Sequence, residues 1–151
     1  MRKTHKINKI IILLGLVYLP SVIATEQSML LIGHKDLPIN ELTLKQAKRI
    51  FLGKTTIWKT GDTVIPCLQG GTGEDSANGY FYNSVVKKSV SRYERYWNKQ
   101  LFSGNGIAPK QFSTADEVVQ YVKSNKGALC FVVKTKDVDF KDTKTVSLSS
   151  E

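Results

Sequence analysis

The sequence predicts an α/β protein, a three-layer α/β/α sandwich. Two observations carry that expectation. Three short apolar runs with strand character stand at Met29-Leu30-Leu31-Ile32, Thr63-Val64-Ile65-Pro66-Cys67-Leu68 and Ala128 to Val133. Between them lie segments whose apolar residues recur at helical spacing. Strands separated by helices imply a mixed or parallel sheet covered on both faces.

The first strand ends at Gly33, and a helix follows from Thr43 to Leu52. Thr43 is placed as an N-cap with Gln46 three residues on; Leu44, Ala47, Ile50 and Phe51 form the apolar face, and Gly53 supplies the stop. The second strand is flanked by Thr60-Gly61-Asp62 and Gly70-Gly71-Thr72-Gly73, and Pro66 inside it argues for a strand end or an edge. From about Ser76 to Val90 the pattern is helical, with Phe81, Val85 and Val86 on one side. A further helix begins near Ser89, where Tyr93, Trp97 and Leu101 at i, i+4 and i+8 make one stripe read as core. Ser113 with Asp116 is read as the cap of a helix in which Val118, Val119 and Val122 face inward. Ala128 to Val133 is then a central strand, Lys134 to Lys144 a polar loop, and Thr145-Val146-Ser147-Leu148 a last edge strand.

The first residues have the layout of an export signal: cations at Arg2, Lys3, Lys6 and Lys9, an apolar run from Ile10 to Leu19, and a small-x-small site at Val22-Ile23-Ala24. Residues 1–24 are expected to be removed, leaving a single domain over 25–151 in the periplasm or secreted; a retained membrane anchor is the competing reading. Loss of those four cations lowers the formal charge from +9 to +5. A nucleic-acid partner is not read from this excess, because Lys134, Lys136, Lys141 and Lys144 alternate with Asp137, Asp139 and Asp142 and suggest a solvated face. The two cysteines, Cys67 and Cys130, both fall in segments that read as buried strands, and in an oxidising compartment they are either a disulfide or two buried thiols. No cofactor motif or metal set is read, since His34 alone remains to join them outside the leader. No Ser/His/Asp or Cys/His set points to an enzyme.

The succession IFLGKTTIW, TGDTVIP, a glycine/serine-rich turn, KKSVSRYERYWNKQLFSGNGIAPKQF and VKSNKGALCFV resembles the phosphate-binding receptors of ABC transporters, the type 2 periplasmic binding proteins, and is especially similar to their short members. The resemblance implies a single lobe of that fold. In the full-length receptors two such lobes close over an oxyanion, and one presents a Ser-Gly-Thr turn at a helix N-terminus, helped by an arginine.

Gly71-Thr72-Gly73, with Ser76 close by, falls at what looks like the corresponding turn, and Asn78 stands where the short members tend to carry the arginine. Backbone N–H groups, a hydroxyl and the positive end of a helix dipole suit a tetrahedral anion, while Glu74 and Asp75 oppose one unless they point away or serve the helix start. A tight turn with a cap remains the alternative reading of this stretch. Two functions are therefore expected to compete. One is an exported solute-binding domain taking phosphate or a related small anion for uptake or sensing with a membrane transporter or sensor. The other is a ligand-free envelope interaction protein derived from half of a receptor, marked by an exposed apolar patch. Oligomeric state is left open.

Overall fold

In the computed structural model, which describes residues 28–71 and 76–150, the chain runs β1 (Met29–His34), β2 (Glu41–Thr43), α1 (Leu44–Phe51), β3 (Ile65–Gln69), α2 (Ala77–Phe81) continued by a π-helical turn (Tyr82–Val86), α3 (Val90–Phe102), β4 (Lys110–Phe112), α4 (Ala115–Ser124), β5 (Ala128–Val133) and β6 (Thr143–Ser149). The expected leader, residues 1–24, lies outside the described residues. The strands form one six-stranded sheet in the order β2-β6-β1-β5-β3-β4. It is mixed: β3 runs parallel to both β5 and β4, β2 parallel to β6, and β1 antiparallel to both of its neighbours.

The period-2 alternation of β5 divides the core. Leu129 and Phe131 face the layer made by α1, α2 with its π turn, and α3, whereas Ala128, Cys130 and Val132 face α4. All six residues of β5 are buried, as a central strand covered on both sides requires. Phe81 stacks on Phe131 with ring centroids 4.4 Å apart and meets Phe51 edge-on at 4.7 Å, so one aromatic from α2 ties the sheet to α1. Beneath α4, Cys67 and Cys130 are register partners with Cα atoms 4.4 Å apart and are joined as a disulfide.

Local chemistry explains the boundaries. Thr43 and Gln46 form the reciprocal capping box expected of them. At its other end α1 receives two tyrosine hydroxyls: Tyr93 Oη donates to the Phe51 carbonyl at 2.8 Å and Tyr96 Oη to that of Leu52 at 2.7 Å. Carbonyls that a helix end leaves without partners are thereby satisfied by α3. Pro66 sits inside the sheet without breaking it. Ile65 N–H donates to Gly127, on the β5 side, so the position of Pro66 that lacks an N–H faces β4, whose pairing starts only at Cys67. Gly127 is the one residue that fits where it stands, since a Cβ there would overlap the Thr63 carbonyl oxygen.

Several expectations are corrected. The segment from Ser76 to Val90 is not one α-helix, because after Phe81 it loosens into the π turn and ends at Lys87 in the left-handed region (φ 59°). α4 is capped by Thr114 and Glu117 rather than by Ser113 and Asp116; Glu117 Oε2 takes the N–H groups of both Ser113 and Thr114, at 2.8 and 3.1 Å. Leu101 leaves the buried stripe of Tyr93 and Trp97 and is 51% exposed. β6 is no edge strand: β2 covers its outer side. Both three-residue strands, β2 and β4, were absent from the sequence reading, being too short to show an alternation.

Candidate functional site

β3, β4 and β5 point the same way, so their C-terminal ends share one rim of the sheet, the place where open α/β sheets carry ligands. Four of the expected site residues belong to the connection that leaves this rim, Gly71, Thr72, Gly73 and Ser76, and Asn78 follows in the helix. Gly70 is still held by the sheet, its N–H donating to the Phe112 carbonyl at 2.5 Å. Gly71 is exposed. Thr72 and Gly73, with Glu74 and Asp75, lie outside the described residues.

Ser76 is the N-cap of α2, with extended backbone (φ −76°, ψ 163°), and its Oγ accepts the Gly79 N–H at 3.1 Å. Ala77 and Asn78 are the first helical residues, so their N–H groups point out of the helix start with no acceptor inside it. Together with the helix dipole these donors favour an anion at the helix start, while Glu74 and Asp75, just before it in sequence, oppose one. The π turn that prolongs α2 carries the helical segment on to Val86, so the start is backed by more than a single turn.

Asn78 is 1% exposed, and its Nδ2 reaches back to the Gly71 carbonyl at 3.5 Å, the long limit of a hydrogen bond. Because that neighbour is an acceptor, only the orientation with the amide nitrogen toward it is chemically sensible. Its Oδ1 is buried and meets no donor among the described residues. Asn78 therefore links the start of α2 to Gly71, a different task from the charged contact an arginine would make.

The structure adds one residue that sequence reasoning missed. Lys134 directly follows β5, is exposed, and donates its N–H to the Ser28 carbonyl at 2.8 Å, which places it on the same rim as Gly70 and Gly71. Its position after a buried parallel strand was the available signal. Two other singled-out residues belong elsewhere. Trp58 is a buried plug, 6% exposed, whose Nε1 donates to the Gly127 carbonyl at 3.1 Å. His34 is the last residue of β1 and only 7% exposed, and its Nδ1 accepts the Asp36 N–H at 3.2 Å.

No family model and no curated protein matches the chain. Solved structures do match it in fold. One is a Clostridium perfringens protein assigned as a phosphate ABC transporter substrate-binding protein and solved with bound phosphate, 19% identical, with a TM-score of 0.58 over 81% of this chain and 45% of that one. An ABC-type phosphate transport receptor from Vibrio cholerae is 16% identical, with a TM-score of 0.57 over 81% and 46%. PstS from Borrelia burgdorferi is 10% identical, with a TM-score of 0.58 over 82% and 47%. The chain thus has the fold of one lobe of these receptors and spans about half their length.

Proposed function

We propose that this chain is an exported, non-enzymatic solute-binding domain that takes phosphate or a related tetrahedral oxyanion at the junction of β3 and α2, for uptake or sensing through a membrane transporter or sensor. The observation that carries the reading is the helix start at Ser76–Asn78, which stands on the C-terminal rim of the parallel strands, in a fold shared with a structure that holds phosphate. Neutral donors suit an anion there when water is excluded: Gly71, Thr72 and Gly73 supply amides and close approach, the Thr72 hydroxyl adds a donor, and Ser76 fixes the direction of the helix. Lys134 supplies a cation at the same rim.

Titration calorimetry with phosphate, sulfate and other small anions tests this. A saturable heat with phosphate is expected, weakened about tenfold in Thr72→Ala by loss of one hydrogen bond to a charged ligand and reduced by raised ionic strength. Absence of heat with every anion at millimolar concentration sinks the reading. A ligand-free interaction domain is then the second reading, favoured by a shallow apolar cavity of about 230 Å³ on the same rim, lined by Met29, Leu30, Tyr80, Val85 and Leu148.

A further inference from the structure

One layer of this protein carries cations with few carboxylates among them, and it ends in an exposed aromatic side chain. Along α3, Arg92, Arg95, Lys99 and Phe102 follow one another at steps of three, four and three, which places them in one row on the helix; Lys88, before the cap, sets its ammonium over the Tyr96 ring at 5.6 Å. Arg92, Arg95 and Lys99 are exposed, and Phe102 at the end of the row is 95% exposed.

α1 continues the field. Tyr96, which bonds to the Leu52 carbonyl, lies four residues after Arg92 and three before Lys99, so these two cations occupy the flank of α3 that meets the C-terminal end of α1. That end brings Lys48, Arg49 and Lys54, and Lys45 lies one turn earlier. Glu94 is the sole carboxylate in the two helices. Among the described residues none of these cations has an ion-pair partner, since the recorded pairs join only His34 and Lys35 to Asp36. The opposite layer is different: α4 and the segment 134–144 mix Asp116, Glu117, Asp137 and Asp139 with their lysines.

We propose that the α1–α3 layer is a docking surface for an anionic phospholipid bilayer. Two features favour a bilayer over a folded acidic partner. Arg92, Arg95 and Lys99 spread along the outside of α3 rather than lining a groove, and a lipid surface asks for charge without shape complementarity. Phe102, 95% exposed, projects from the end of the cationic row, and an aromatic side chain beside lysines and arginines is the composition of helices that lie in the headgroup region. The protein then rests on its α1–α3 layer with Phe102 among the acyl chains. This docking does not depend on whether the β3–α2 junction holds an anion.

Co-sedimentation of the protein with vesicles of pure phosphatidylcholine and of equimolar phosphatidylcholine and phosphatidylglycerol tests it. The full chain is used throughout, so that the apolar segment 10–19 is common to every sample. Wild type is expected on the anionic vesicles at low salt and to leave them as salt rises. The triple variant Arg92→Gln, Arg95→Gln, Lys99→Gln weakens partitioning on the order of 100-fold, taking the usual contribution of each cation near a lipid surface. Phe102→Trp reports insertion directly, through a blue shift of its emission with anionic vesicles only; the native Trp58 and Trp97 are buried and form a constant background. Equal partitioning of wild type and triple variant overturns the proposal. So does selective retention on an immobilised acidic protein with no preference for phosphatidylglycerol, which would assign the same charges to a macromolecular partner.

Discussion

Tyr82 and Tyr93 show how a single residue type serves this core. Their rings stack at 4.2 Å, and both are nearly inaccessible. Burial, with a smaller contribution from the Glu94 carboxylate, pushes the Tyr82 phenol up from 10.0 to about 12, and burial pushes Tyr93 higher still. The neutral phenol is therefore favoured in the folded state. Its contribution to stability is whole below pH 10 and is lost as pH rises from 10 through about 12, because only the unfolded chain ionises readily there. Chemical denaturation followed by circular dichroism should show stability falling across that window, and the tyrosinate absorbance that belongs to Tyr82 and Tyr93, identified by its loss in their phenylalanine variants, should appear with unfolding rather than before it. In Tyr82→Phe the fall should be shallower.

Among the described residues, α4 is the single helix on its face of the sheet, helped only by Val138 and Phe140, so its start matters more than that of a helix sharing a layer. Thr114 Oγ1 accepts the Glu117 N–H at 3.3 Å while Glu117 holds two N–H groups in return, and Asp116 and Glu117 add carboxylates to the first turn. Thr114→Ala is expected to lower stability by about 1 kcal/mol, measured as a shift in the urea midpoint. Thr114→Ser should restore most of it. Residue pattern places this helix correctly, because Val118, Val119 and Val122 mark its inner face whatever it packs against. The cap escapes by one residue: Ser113 and Thr114 both suit a cap, but Glu117, long enough to reach back to the N–H groups of Ser113 and Thr114, makes the reciprocal box that the shorter Asp116 does not. β2 and β4 escape too: their three residues carry no periodicity and become strands because β6 and β3 offer them open edges.

For the molecule as a whole, the disulfide is the link that ties the middle of the sheet. Cys67 and Cys130 are 63 residues apart in sequence, so closing that loop restrains the unfolded chain by about 4 kcal/mol on the chain-entropy scale. Reduction under denaturing conditions, with the thiols then blocked, is expected to lower stability by roughly 2–5 kcal/mol; non-reducing electrophoresis with thiol labelling establishes the oxidised form first. An unchanged melting temperature after verified reduction would count against it. At this scale too the candidate anion site takes its meaning. Gly71, Ser76 and Asn78 come together through the β3–α2 connection, but their closeness to Lys134, far along the chain, exists only because β3 and β5 run parallel.

Apolar runs and helical spacing were enough to establish a layered α/β lobe, the α1 capping box and the inward faces of the helices. These depend on forces acting within a few residues and on burial that any such sheet provides. Strand order, the placing of Cys67 opposite Cys130, the exposure of Leu101, and the gathering of α1 and α3 cations into one field depend on contacts between residues distant in sequence. A side chain's neighbours across the sheet or on the next helix are set by the packing of whole elements, and that information appears only once the elements have met.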